Sequence, residues 1–304
     1  MKLKARKKFQ KSVLHIVCAS MLATALCSCG KKEQPDYAFT GTNGDASSLG
    51  MISVQVREDG SGTRNQFEEY LGISMSEDNI DKYKDMNQCA ISSSGSAMAE
   101  AVNETPNAIG YVSYGQMQAD SKALAVDGII CNKDSIADHV YPLTRDFTLA
   151  WVDSPNALRD DFVKYITGAG QKIVSQTYVP VAEETTFLAD PDAQGTLSIH
   201  GSSSMADLLK KLADAYMAVN KNATIHIYAT DSTKGLNDAM EGKCNMAMVS
   251  RRLKDYEADL VESTVIATDG IAVIVRKDNP IDQVTKDELK GIFNGNITSW
   301  NDIQ

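Results

Sequence analysis

The sequence predicts an α/β fold with mainly parallel sheets, and three observations carry that expectation. Segments that alternate apolar and polar residues recur along the chain, each followed by a stretch with apolar residues at helical spacing. Two of these strand-to-helix passages run through loops of small polar residues, "DGSGT" and "GSSSM", about 140 residues apart. The 304 residues suffice for one large or two ordinary domains with a sizeable core.

The chain opens with Lys2, Lys4, Arg6, Lys7, Lys8 and Lys11, then an apolar stretch over 13–26 that is short for a membrane span. "LCSCG" follows. This reads as a lipoprotein signal peptide over 1–28, with Cys29 as the lipidated first residue of the mature chain; an ordinary signal peptide is the plainer alternative. Residues 29–50 are polar, Gly/Ser-rich and aperiodic, and are expected to be a flexible tether. Loss of the six basic residues leaves 24 Lys and Arg against 40 Asp and Glu, a charge of −16, compared with −10 for the whole chain. Such an acidic surface argues against a nucleic-acid partner. Cys89, Cys131 and Cys244 are widely spaced and odd in number, so they read as small buried hydrophobes, not as a zinc site or disulfide framework.

"ISVQVRE" is the first expected strand, and Phe67, Tyr70 and Leu71 mark one face of the helix after it. "AIGYVSY", "TLSIHG", "ATIHIYAT", "NMAMVS" and "GIAVIV" read as further strands. Met205, Leu208, Leu209, Leu212 and Tyr216 define a long helix after "GSSSM"; "LRDDFVKYITG", "KGLNDAMEG" and "KDELKGIFNG" read as shorter ones.

The two small-residue loops suit an anion. A helix N-terminus leaves backbone N–H groups unpaired and carries partial positive charge. Small residues let an oxyanion approach those groups, while Ser and Thr hydroxyls add donors and an arginine adds a bidentate one. Arg57, Ser61, Gly62 and Thr63 on one side, with Ser203 and Ser204 on the other, would close around a tetrahedral oxyanion. The bland alternative is that each serine only caps its helix. A hydrolase built on Ser203 with His200 or His226 lacks the G-x-S-x-G elbow.

"VREDGSGTRNQFEEYLG", "NAIGYVSYGQM", "YPLTRDFTL", "GQKIVSQTYVPV", "GSSSMADLLKKLADAYM", "DGIAVIVRKDNP" and "LKGIFNGNITSWNDI" resemble the phosphate-binding proteins of bacterial phosphate ABC importers, the PstS-type family. The resemblance spans nearly everything from Ile52 to Gln304. It implies a two-lobed periplasmic-binding-protein-like fold of type II that closes on one inorganic phosphate. It also implies a non-enzymatic monomer without cofactor or metal, lipid-anchored on the extracytoplasmic face and serving ABC permease subunits. The motif order looks like that of a circular permutation, opened between Gln304 and Met51 and joined through residues 182–195; a gene-model artefact or a fragment of a tandem protein is the alternative. One lobe would then combine 51–144 with 269–304 and the other would hold 145–268, with crossings near Leu143–Arg145 and Thr268–Gly270.

Carried over residue by residue, the resemblance makes Arg57 the guanidinium donor with Asp59 as its orienting partner. Ser61, Gly62, Thr63, Ser203 and Ser204 supply further donors, and Ser232 and Ser250 match two more donor loops. One departure stands out. Some members have an aspartate after the serine matching Ser250, where it accepts a proton from hydrogenphosphate; here that place holds Arg251, expected at the surface. Selection against sulfate or molybdate is thereby in doubt, with Asp59, Asp231 and Asp269 as replacement acceptors, and a sensor or adhesin without transport is a further alternative.

Overall fold

The computed structural model describes residues 37–74 and 89–304, all within the compact unit Pro35–Gln304. Cys29 and the signal segment lie outside the described residues. No helix among the described residues is long and apolar enough to cross a membrane.

The strands are β1 (Ser53–Arg57), β2 (Cys89–Ser92), β3 (Ala108–Ser113), β4 (Ser121–Ala123), β5 (Ala125–Val126), β6 (Thr144–Trp151), β7 (Gly195–Ser202), β8 (Ala223–Thr230), β9 (Met246–Val249), β10 (Glu262–Arg276) and β11 (Gln283–Val284). Those that position the site form one sheet in the order β2-β1-β3-β10-β6-β9-β7-β8. At one end β1 pairs in parallel with β2 and β3, and at the other β7 pairs in parallel with β8 and β9. Between them β10 runs antiparallel to both β3 and β6. "GIAVIV" is thus the far half of a 15-residue strand that serves both ends.

The core divides where the sheet does. One cluster takes buried residues from Ala46 to Leu143 and from Ile271 to Trp300, and another runs from Phe147 to Ala267. Phe67 and Leu71 of α1 (Gly62–Leu71) enter the first, at the spacing read from sequence. α2 (Gly95–Glu104) and α3 (Lys133–Ala137) belong to the same half. α4 (Ala157–Ile166), α5 (Gln171–Val174) and α6 (Ala206–Val219) pack on the other; Leu208, Leu209, Leu212 and Tyr216 form the buried face of α6. α7 (Ser232–Met240) and α8 (Asp255–Ala258) follow, and α9 (Lys286–Phe293) returns to the first half. The strand-end glycine Gly201 has φ 135°, and a side chain there would collide with the Met248 carbonyl of β9.

Residues 37–50 are not a loose tether. Phe39 N donates to Gly128 O at 2.8 Å, Gly44 N to Pro280 O at 2.8 Å, and Ala46 is buried in the first core. The Asn43 amide oxygen accepts from Asp282 N and Gln283 N, and its Nδ2 donates to Gln283 O and Gln304 O. Polar composition concealed this because the segment is held mainly through its backbone and one asparagine, not through an apolar stripe.

Residues 50–52 adjoin residues 298–300. Ile52 N donates to Thr298 O at 2.8 Å, Trp300 N to Gly50 O at 3.0 Å, and Met51 bridges Ser299. Trp300 is fully buried, and its Nε1 donates to Asn107 O at 2.9 Å. Replacing Trp300 with alanine empties a core site beside the junction of residues 50–52 with 298–300. The expected cost is about 3–5 kcal/mol, read as a lower midpoint in denaturant unfolding; an unchanged midpoint would show that this junction carries no stability.

Candidate functional site

β1 ends on Arg57, whose side chain is almost fully buried. Its backbone N–H donates to the Tyr111 hydroxyl at 3.2 Å. The guanidinium is clamped by the next residue: Nε donates to Glu58 Oε2 and Nη2 to Glu58 Oε1, both at 2.7 Å. Nη2 also reaches Ser203 Oγ at 3.0 Å, and Nη1 is buried without a hydrogen-bond partner among the described residues. The orienting carboxylate is therefore Glu58 and not Asp59. Glu58 offers both oxygens to the fork, whereas Asp59 is exposed in the turn before Gly60.

Ser61 caps α1, its Oγ accepting from Arg64 N at 3.4 Å, so the capping reading holds for this residue. Ser203 and Ser204 are not caps, because α6 begins later with Met205 at its cap and no side-chain bond there. Ser232 is not one either; Asp231 caps α7 by accepting from Lys234 N at 2.8 Å. Released from capping, these hydroxyls face one another. Thr63 Oγ1 lies 2.8 Å from Ser204 Oγ, Ser202 Oγ 2.7 Å from Ser250 Oγ, and Ser250 N donates to Ser232 Oγ at 3.1 Å. A side chain on Gly62 would run into the Ser232 and Ser250 hydroxyls, so only glycine admits this approach.

Beneath the hydroxyls lies a charged pair that sequence reading did not assemble. Arg145 and Asp269 face each other across the β6–β10 ladder with side chains 1% and 0% exposed. Arg145 Nε and Nη2 donate to Asp269 Oδ2 at 2.9 and 2.8 Å, and Ser113 Oγ donates to Oδ1 at 3.0 Å. Arg145 Nη1 donates to Thr63 Oγ1 at 2.7 Å and to Ser250 O at 3.2 Å, joining the two sides. Burial raises the Asp269 carboxyl above its ordinary value, and Arg145 and Ser113 pull it back toward ionisation.

Arg251 is not at the surface. It is buried and grips Glu257 bidentately, Nη1 to Oε2 at 2.7 Å and Nη2 to Oε1 at 2.9 Å. Nη2 also reaches Thr233 Oγ1 at 3.3 Å; Thr233 in turn donates through N and Oγ1 to Gly60 O of the opposite loop. Gln116 makes another crossing, Nε2 to Ser203 O at 3.1 Å. His200 is occupied elsewhere: Nδ1 lies 2.9 Å from Asp238 Oδ2 and the ring meets Tyr228 edge-on. Among the described residues no hydrogen bond joins Ser203 to a histidine. Cys131 and Cys244 are buried thiols and Cys89 is half-buried, and burial pushes Cys244 up to about 11.

The structure thus brings together Arg57, Ser61, Gly62, Thr63, Ser203, Ser204, Ser232 and Ser250, and leaves Asp59 outside. Sequence reading missed Glu58, Gln116, Thr233 and the site role of Arg145. A charge inside an otherwise apolar strand, as in "ATDGIAVIV", was the available signal, since a buried carboxylate requires a partner.

The chain matches the PBP superfamily domain over residues 30–169 and 189–304. It is 34% identical over 300 residues to phosphate-binding protein PstS 2 of Streptococcus pneumoniae, covering 98% of this chain and 100% of that one. With PstS 2 of Streptococcus agalactiae it shares 34% over 263 residues, 85% and 89% of the two chains. A solved phosphate-binding protein of a phosphate ABC transporter from Streptococcus pneumoniae superposes with a TM-score of 0.69 at 36% identity, covering 84% of this chain and 100% of that one. The end-to-end match keeps the order of both chains, so the unusual motif order is shared with that relative. On this likeness, across both halves of the sheet and every donor loop, the chain belongs to the PBP superfamily and, within it, to the PstS family of phosphate-binding proteins.

Proposed function

We propose that this chain is an extracytoplasmic receptor that encloses one inorganic phosphate between its lobes and delivers it to the permease of an ABC importer. One observation carries the reading: Arg57 Nη1 is buried and unpartnered where the hydroxyl-bearing loops converge. A donor so placed matches an oxyanion, because burying a dianion is tolerable only when each oxygen receives hydrogen bonds. The lobes of this reading are 51–144 with 269–304, and 145–268; closure between them is the shape a permease would recognise. A net charge of −10, or −16 after loss of the leader, works against long-range attraction of an anion, so capture relies on local donors. Cys29 would carry the lipid, and a two- or three-chain anchor holds far more firmly than one chain.

Arg57→Ala removes a charge-assisted donor and strands Glu58. Loss of one member of a buried charged pair costs about 2–5 kcal/mol, so calorimetric titration should show phosphate affinity lower by roughly 30-fold or more. Ser61→Ala should lose only about fivefold, the worth of one neutral hydrogen bond. An Arg57→Ala protein that binds phosphate like the parent would reduce "VREDGSGTR" to a capped helix start.

Gly62→Ala tests closure by steric means. Its methyl would meet the Ser232 and Ser250 hydroxyls only when the loops are together. An overpacking cost of about 1–3 kcal/mol should weaken phosphate binding while the midpoint of thermal unfolding without ligand stays near the parent's.

Cys29→Ser should leave the protein unprocessed or released into the medium, as read by fractionation. Unchanged recovery in the membrane fraction would argue against lipidation there.

A further inference from the structure

The donors of the cluster are shut away from water: Arg57 is 1% exposed, and Ser232 and Ser250 are 0% exposed. An anion therefore reaches them only while the two halves of the sheet stand apart. Every contact that crosses between the halves is broken for its entry and remade behind it. Such contacts slow departure far more than arrival. Arg57–Ser203 and Thr63–Ser204 cross in this way, but they belong to the donors themselves. Two further crossings do not.

The first is a helix cap shared between the halves. A helix leaves its first backbone N–H groups without partners inside the helix. At the start of α7, Lys234 N donates to Asp231 Oδ1 at 2.8 Å, within the same half. Thr233 N donates instead to Gly60 O, in the turn of the opposite half, at 3.3 Å. Thr233 Oγ1 donates to the same carbonyl at 3.2 Å. Arg251 fixes that direction. Its Nη2 donates to Thr233 Oγ1 at 3.3 Å, so the hydroxyl accepts there and its one proton is left for Gly60. Glu257 holds the guanidinium through both carboxylate oxygens. Gly60 has φ 79° and lies so close to Asp231 that a side chain would strike Oδ1. The buried arginine thus has a task that needs no contact with an anion.

The second crossing comes from the short turn Tyr114–Gln116 after β3. Gln116 Nε2 donates to Ser203 O at 3.1 Å. Beside it, Gly115 lies against the Tyr178 hydroxyl and Thr177 of the other half, where a side chain would collide. On its own side, Gly95 at the start of α2 leaves the space that the Gln116 amide fills; a methyl group there would run into Oε1. Thr233 and Gln116 are both half-buried, unlike the donors they flank.

Resting on the reading of the site as an oxyanion receptor, we propose that Thr233, oriented by Arg251, and Gln116 are positioning residues that clasp the two halves over the anion and set how slowly it leaves. A contact made only when the halves are together raises the population of that state by its own worth. Neither residue is among the anion's donors, so the clasp acts on retention and not on recognition.

The experiment follows radiolabelled inorganic phosphate leaving the purified chain after an excess of unlabelled phosphate is added. Equilibrium dialysis gives Kd, and the release rate divided by Kd gives the association rate. Thr233→Val keeps the branched side chain and loses the hydroxyl. Gly95→Ala alters neither clasp residue but drives a methyl group into the Gln116 amide. Each should release phosphate about fivefold faster, the worth of one neutral hydrogen bond, with the association rate within about twofold of the parent's. Thr233→Ser retains the hydroxyl and should release phosphate at the parent's rate. Parental release from either Thr233→Val or Gly95→Ala would overturn the proposal. Weaker binding that arises from slower association, or release from Thr233→Ser as fast as from Thr233→Val, would do the same. A parent chain that binds no phosphate would refute the receptor reading, and the clasp with it.

Discussion

The Arg145–Asp269 pair is the interaction on which the rest of the site depends. Both charges are withdrawn from water, and each is tolerable only because the other is there with its hydrogen bonds complete. Their place is as important as their charge. Arg145 is the second residue of β6 and Asp269 lies mid-strand in β10, at the point where the two core clusters part. From there one guanidinium reaches Thr63 of one loop and the Ser250 carbonyl of another. Removing one partner would leave an uncompensated buried charge, a loss of about 3–5 kcal/mol, and would free the loops it aligns.

The other charged residues follow the same logic at smaller scale. Arg57 is held flat by Glu58, which fixes the direction of its remaining nitrogen. Arg251 is held by Glu257 and reaches the Thr233–Gly60 crossing instead of the cluster's centre. Positive charge is thus supplied in pairs that are locally neutral, and the donors are oriented before any ligand arrives. Such preorganisation avoids an ordering cost at binding. It also suits an acidic protein, whose overall field does nothing to draw an anion in.

Long β10 is the link between the two halves of the sheet. Its two halves pair with β3 and β6, so the halves of the sheet are joined through the middle of a strand and not through the chain ends. Met51 and Ser299 lie together, with Trp300 buried beside them. Packing and hydrogen bonding do not depend on which surface connection is left open.

Periodicity alone determined the α/β class, the buried faces of α1 and α6, and the loops where donors gather. Those features follow from local rules: alternation for strands, helical spacing of apolar residues, and small polar residues where a strand meets a helix. The loop serines were visible for the same reason. What each serine does was not, because capping and ligand donation use the same side chain and differ only in which N–H lies nearby. Ser61 caps, while Ser203, Ser204 and Ser232 do not. The choice of Glu58 over Asp59 needed the geometry of one turn, and the burial of Arg251 needed Glu257 six residues away. Asp269 and Arg145 are 124 residues apart, and only the antiparallel register of β6 on β10 makes them partners. Local sequence carries propensity, but the pairing of buried charges is a long-range matter that the folded chain alone decides.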